Sequence, residues 1–222
     1  MLSIICYAIG LLITITLKDI KNRENHPRKK IAYKDIKNFL KNRTLRTLTI
    51  NKLLVGVSMA IFVILWQPQL KASGVPINLL GVFLAVGSLG IFLVNRKIGW
   101  LSSKINTKPL LFISAVIPGL LFFILAFIYN SIMAVSAYLI IRIVAAIREP
   151  ILSKYINKEI KSERRATTLS LISMITALVV LILNPLIGVA TDKSLSYGFI
   201  LLGVLCLSVE VIVPITKKII KE

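Results

Sequence analysis

Seven stretches of this chain are apolar over a length that only a bilayer or a deep core can absorb: approximately Met1 to Leu17, Leu48 to Leu70, Ile77 to Ile98, Pro109 to Ile128, Ser131 to Ile147, Thr168 to Ala190 and Ser196 to Thr216. A bilayer core about 30 Å thick needs about 20 residues of helix to cross it, with about 17 as the practical lower end. All seven meet that length, although the fifth carries an arginine and the seventh a glutamate. Composition agrees: 56% of the 222 residues are hydrophobic, 17% are charged and the mean hydropathy is +0.84. Soluble domains run about 45–50% apolar and about 25% charged, so the excess points to lipid. The sequence predicts an all-α integral membrane protein with seven transmembrane helices.

The formal net charge of +19 needs a separate explanation. A nucleic-acid-binding domain carries its cations on one face of a folded unit and has no repeated runs of spanning length. Here position explains the charge. With alternate loops on opposite sides, 25 of the 28 Lys and Arg fall on one side, in Lys18 to Lys52, Arg96 to Lys108, Arg148 to Arg165 and after Thr216. Only Lys71 and Lys193 fall on the other, and Arg142 lies within a span. Lys and Arg accumulate on cytoplasmic loops, which predicts a multipass cell-membrane protein with its N-terminus extracytoplasmic, its C-terminus cytoplasmic and no nucleic-acid partner. The first segment has no basic region before it and no small-residue cleavage site, so it reads as an uncleaved span.

Residues 18–47 form a basic cytoplasmic linker. Asn22, Asn25, Pro27 and the run Arg28-Lys29-Lys30 make its start a flexible connector, and His26 beside Pro27 reads as solvated. From Tyr33, the residues Ile36, Phe39 and Leu40 recur at helical spacing among Lys34, Lys37, Lys41 and Arg43. This gives either a short amphipathic helix on anionic headgroups, each cation contributing about 1 kcal/mol, or a plain connector to the second span. The other loops are short, which makes successive spans antiparallel neighbours. Gly81, Ala85, Gly87 and Gly90 supply a small-residue face suited to internal packing more than to a dimer seam, and Pro118 and Asn184-Pro185 predict kinks.

Ionisable residues within spans are functional candidates because each costs about 2.5–3.5 kcal/mol at the helix centre on insertion scales. Arg142 lies eleven residues past Ser131, about 16 Å along the helix and close to the midplane. It faces either a substrate cavity or a fixed partner in the bundle. Glu149, seven residues on, falls near the same helical face. Glu210 sits in the cytoplasmic half of the last span, where it reaches the interface or pairs with Lys217. Asn51, Gln67 and Gln69 flank the second span with Trp66, and Gln67 is the amide assigned to a cavity. Cys6 and Cys206 lie in apolar runs with no metal-ligand or CxxC spacing. With no phosphate-binding glycine loop, nucleophile elbow or paired carboxylates, neither an enzyme nor a cofactor is expected.

The stretch from Arg142 to Met174 resembles the junction between the tenth and eleventh helices of major facilitator superfamily transporters, particularly the bacterial drug-efflux-like members. The resemblance rests on Arg148-Glu149-Pro150, Tyr155-Ile156-Asn157 and Arg165-Ala166-Thr167, followed by Asn184-Pro185-Leu186-Ile187-Gly188 and Asp192. The segment from Gly99 to Lys108 is similar to the second-half copy of the family's glycine and basic loop motif. Gly99, Lys104 and Lys108 occupy expected positions, with Ser103 where the acidic residue stands and Asn106 where the second glycine stands. Those departures bear on the motif's gating ion pair, whereas a tight basic turn survives them.

The resemblance makes residues 1–17 similar to the sixth helix of the family, 18–47 to its central linker and 48–222 to the six-helix C-terminal half. It implies a C-terminal portion of a secondary transporter, either a truncated gene product or a fragment, whose complete form exports small molecules or drugs by rocking one half against the other. Arg142 and Gln67 are then the cavity candidates. The family couples export to an ion gradient, usually of protons, for which Glu149 and Glu210 are the acidic candidates near the bilayer. The alternatives are an independent, non-transporting membrane scaffold and a half-transporter that acts only as a homodimer.

Overall fold

The computed structural model describes Phe39 and residues 41–215, apart from the side chain of Glu163. The first predicted span, nearly all of the linker and the cations after Thr216 lie outside the described residues. Every regular element described is helical. The helices are α1 (Arg43–Ala72), α2 (Leu80–Lys104), α3 (Thr107–Phe127), α4 (Ser131–Ala145), α5 (Arg148–Glu159), α6 (Arg165–Lys193) and α7 (Leu195–Ile212), with 3-10 turns at Ile77–Leu79 and Ser162–Arg164. Among the described residues, six stretches are long and apolar enough to cross a membrane, with α4 and α5 counting as one. The chain is thus all-α in its described part and has the makings of a multipass membrane protein.

Local chemistry sets the helix ends. Asn42 caps α1 by accepting from the Leu45 amide at 3.0 Å, and Asn130 caps α4 by accepting from the Ile132 and Met133 amides at 3.0 and 3.2 Å. These side chains satisfy first-turn N–H groups that have no partner within the helix. Helix α1 starts five residues inside the region assigned to the linker. The α1–α2 turn depends on Gly74, whose φ of +85° suits glycine, and Ser131 Oγ ties the turn to α4 by donating to the Ser73 carbonyl at 2.6 Å. Connections this short reverse the chain at each end. The starts of α1 and α3, the α5–α6 junction and the end of α7 therefore share one end, which carries Arg43, Arg46, Arg96, Lys97, Lys104, Lys108, Lys154, Lys158, Lys161 and Arg165. Lys71 and Lys193 close helices at the other.

Two expectations change. The predicted loop from Gly99 to Lys108 is mostly helix, because α2 continues to Lys104 and only Ile105 and Asn106 separate it from α3. The loop predicted after the fifth span is largely helix: α4 ends at Ala145, two residues short of the predicted end, the chain turns through Ala146 and Ile147, and α5 begins at Arg148. Pro150 is the physical reason for the turn. It has no N–H to give the preceding turn and its ring opposes continuous helix upstream, yet it is well tolerated in the first turn of a new one. The break interrupts the seven-residue register that would have put Glu149 under Arg142.

Between spans in lipid, apolar burial adds little drive, so association rests on close packing. The centre of the bundle is aromatic: Phe62 meets Phe122 edge-on at 5.2 Å between ring centroids, and Trp66 stacks on Tyr138 at 4.7 Å. Such pairs are worth about 0.5–1.5 kcal/mol beyond their area. Glycines bring backbones together. A Cβ added to Gly90 would stand 2.6 Å from Ile143 Cδ1, and one on Gly119 would stand 2.7 Å from Leu207 Cδ2. Gly87 and Gly90 thus face α4, whereas Gly81 meets nothing within 4 Å, so only part of the small-residue face packs internally. Helices α2 and α6 show the reverse, with Leu84, Leu89, Phe92, Leu181, Leu186 and Val189 exposed. Outward apolar faces of that extent are unfavourable in water and natural in lipid.

Candidate functional site

Two arginines organise the polar interior. Arg148 opens α5 and is 4% exposed. Its Nη1 donates to the Leu111 carbonyl at 2.7 Å and to Ser114 Oγ at 3.0 Å, and its Nη2 donates to Asn51 Oδ1. Asn51 is itself buried, and its Nδ2 donates to the Val213 carbonyl at 3.0 Å. One guanidinium thereby joins α5 to α1 and α3, and through Asn51 to the segment just after α7. Its hydrogen-bond acceptors are all neutral. Glu210 of α7, half-buried, is the acidic group within electrostatic reach of Arg148, and Lys108 acts on Glu210 from the basic end.

Arg142 has a different setting. It lines a cavity of about 260 Å³ between α1, α2 and the α4–α5 break, with apolar walls from Val55, Met59, Phe62 and Ile91. Its guanidinium carbon lies 5.9 Å from the centroid of the Tyr138 ring, one helical turn back. Arg142 Nε and Tyr138 Oη are both buried with no hydrogen-bond partner among the described residues. At one end of the cavity Lys52 Nζ contacts Glu149 Oε1 at 2.6 Å, and Ser153 Oγ donates to the same oxygen at 3.0 Å. The pair is solvent-accessible, with 62% of the Glu149 side chain exposed. From Lys52 to Val63 the cavity follows α1 over eleven residues, about 16 Å.

The remaining predicted residues scatter. Gln67 is exposed and does not line this cavity. The amide that turns inward is Gln69, 1% exposed, whose Nε2 donates to the Leu125 carbonyl at 2.8 Å while its Oε1 stays without a partner. The register carries the reason: Phe62, Leu65, Trp66 and Gln69 lie at helical spacing on one buried face, and Gln67 falls off it. Among the motif positions, Tyr155 is buried with its hydroxyl 3.3 Å from Thr107 Oγ1, and the Asn157 amide oxygen is buried without a partner. Pro150, Thr167 and Gly188 are half-buried, whereas Gly99, Lys104, Lys108, Arg165, Ala166, Pro185 and Asp192 are exposed. They form no single site. Sequence reading named Arg148 only as a motif position and missed its partner Ser114, because the residues that bind it come from distant parts of the chain.

Among the described residues, no three His, Cys, Asp or Glu side chains come together to hold a metal ion. Arg142 thus stands with spare donor capacity on a mostly apolar cavity wall, next to the α4–α5 break. No family model, curated protein or solved structure matches the chain.

Proposed function

We propose that this bundle works as one half of a secondary transporter of the major facilitator type, moving small molecules across the cell membrane by alternating access. The observation that carries the reading is Arg142, a cation in the last turn of α4, within the apolar stretch Ser131–Glu159 and on the wall of a mostly apolar cavity. Intramembrane charges mark substrate and ion pathways, and transporters place their sites near the midplane beside interrupted helices. The interruption at Ala146 and Ile147 lies within one turn of Arg142 and gives the span a place to bend. The concentration of Lys and Arg at one end supports a cytoplasmic location for that end, against the anionic headgroups of the inner leaflet. The pairing of Glu149 with Lys52 and the proximity of Glu210 to Arg148 keep both carboxylates as candidates for proton coupling.

In this reading the bundle expressed alone gives no efflux above background. Paired with a six-span N-terminal half, it gives gradient-driven dye or drug efflux that Arg142→Ala abolishes. Efflux by the bundle alone that disappears on Arg142→Ala would replace the two-half arrangement with a homodimer. Efflux from the paired halves that is indifferent to Arg142 would overturn the reading.

A further inference from the structure

We propose that the cavity at Arg142 binds an amphipathic monoanion, its acidic head on the Arg142 guanidinium and its apolar body against Val55, Met59, Phe62 and Ile91. This deepens the transport reading by naming the substrate class, and it rests on that reading only for the step of translocation.

The charges around the cavity select the sign of the ligand. Lys52 and Glu149 neutralise each other at 2.6 Å. Arg148 spends its two Nη groups on Leu111, Ser114 and Asn51, and Glu210 acts on it from the side of α7. Arg142 has no such compensation among the described residues: its guanidinium lies over the face of the Tyr138 ring, and its Nε has no acceptor there. A guanidinium held in apolar surroundings without a carboxylate carries an unrecovered desolvation cost, and an entering anion offsets it. A cationic ligand meets repulsion, and a neutral one leaves Arg142 as it was.

The walls select the body. They are aliphatic and aromatic, and at about 260 Å³ the space falls just below the ~300–1,000 Å³ usual for drug-sized ligands, which suits a medium-length alkyl chain or a single ring system. Gly56 helps to keep the space open: it lines the cavity, and a Cβ placed on it meets nothing within 4 Å. The anion has two chemical sources, an anionic lipid of the surrounding bilayer or a lipophilic organic acid to be exported. Both present one acidic head on an apolar body.

The test is equilibrium binding of radiolabelled octanoate to the purified chain in phosphatidylcholine nanodiscs at neutral pH, with octanamide and octylammonium as neutral and cationic competitors. Octanoate should bind at least about tenfold more tightly than octanamide, the least expected of a hydrogen bond to a charged group, and octylammonium should not compete. Arg142→Gln should weaken octanoate binding by about tenfold or more, and Arg142→Lys, which keeps the charge but loses the planar fork over Tyr138, should weaken it by less. Gly56→Leu should abolish binding by filling the cavity without touching the charge. As a helix-favouring change into open space, it also guards against misreading a folding defect. Competition by phosphatidylglycerol nanodiscs assigns the site to lipid, and its absence assigns it to a free acid; both outcomes uphold the proposal. Equal affinity for octanoate and octanamide, or octanoate binding unchanged in both Arg142→Gln and Gly56→Leu, overturns it. Because binding is read on the bundle alone, its failure leaves the efflux experiment to judge the transport reading separately.

Discussion

Removing the acceptor that faces Arg148 should damage the bundle more than removing Arg148 itself. In Asn51→Leu the guanidinium stays charged and buried, loses the acceptor at Nη2 and already has no partner at Nε. The Val213 carbonyl loses its Asn51 donor as well, so two buried groups are left short of a partner, each costing about 1–3 kcal/mol and the charged one more. In Arg148→Met the charge leaves. Leu111 O keeps the Ser114 hydroxyl as a donor at 2.9 Å, so the main group left without a partner is Asn51 Oδ1, worth about 1–3 kcal/mol. The double variant strands neither the guanidinium nor Asn51 Oδ1, and its cost should fall short of the sum of the single costs by about 2 kcal/mol, within the range of contacting pairs. Unfolding in mixed micelles, followed by far-UV circular dichroism as the denaturing detergent is raised, gives the three free energies. Additive costs, or an Asn51→Leu cost under about 1 kcal/mol, would refute the reasoning that one buried guanidinium holds α1, α3 and α5 together.

Other outcomes follow from the packing and the charges. Gly90→Leu should destabilise by about 1–3 kcal/mol through overpacking against Ile143, whereas Gly81→Ala should be neutral or stabilise by about 0.5–1 kcal/mol, both read in the same detergent titration. Glu149→Gln should change stability by no more than about 1 kcal/mol, since the Lys52 pair is accessible, yet it should tighten octanoate binding by freeing a cation at the cavity. Single cysteines at Lys104 or Lys154 should react with an impermeant thiol reagent only from the cytoplasm, and those at Lys71 or Lys193 only from outside; labelling from the opposite sides would reverse the topology.

The spans were legible in the sequence because length and apolarity are local properties, and the six described here fall where the apolar runs stand. The end of the fifth span was legible to within two residues, whereas α5 was not, because Arg148–Glu159 is too polar and too short to stand out as a span. The choice of Gln67 over Gln69 failed on register, which the spacing of Phe62, Leu65 and Trp66 carries. The Arg148 network was not legible at all, since Asn51 lies 97 residues away and Leu111 contributes only a carbonyl. Arg142 stood out by its cost in a membrane, and what it faces became visible only when α1 and α2 were set beside it.

Accessibility of a cysteine at Gly56 tests most directly whether a cavity sits inside a membrane bundle whose basic end is cytoplasmic. With Cys6 and Cys206 replaced, Gly56→Cys in inside-out vesicles should react with a small impermeant thiol reagent, and saturating octanoate should slow that reaction. A cysteine at Gly56 that stays inert from both faces of the membrane, or reacts at the same rate with and without octanoate, would contradict it.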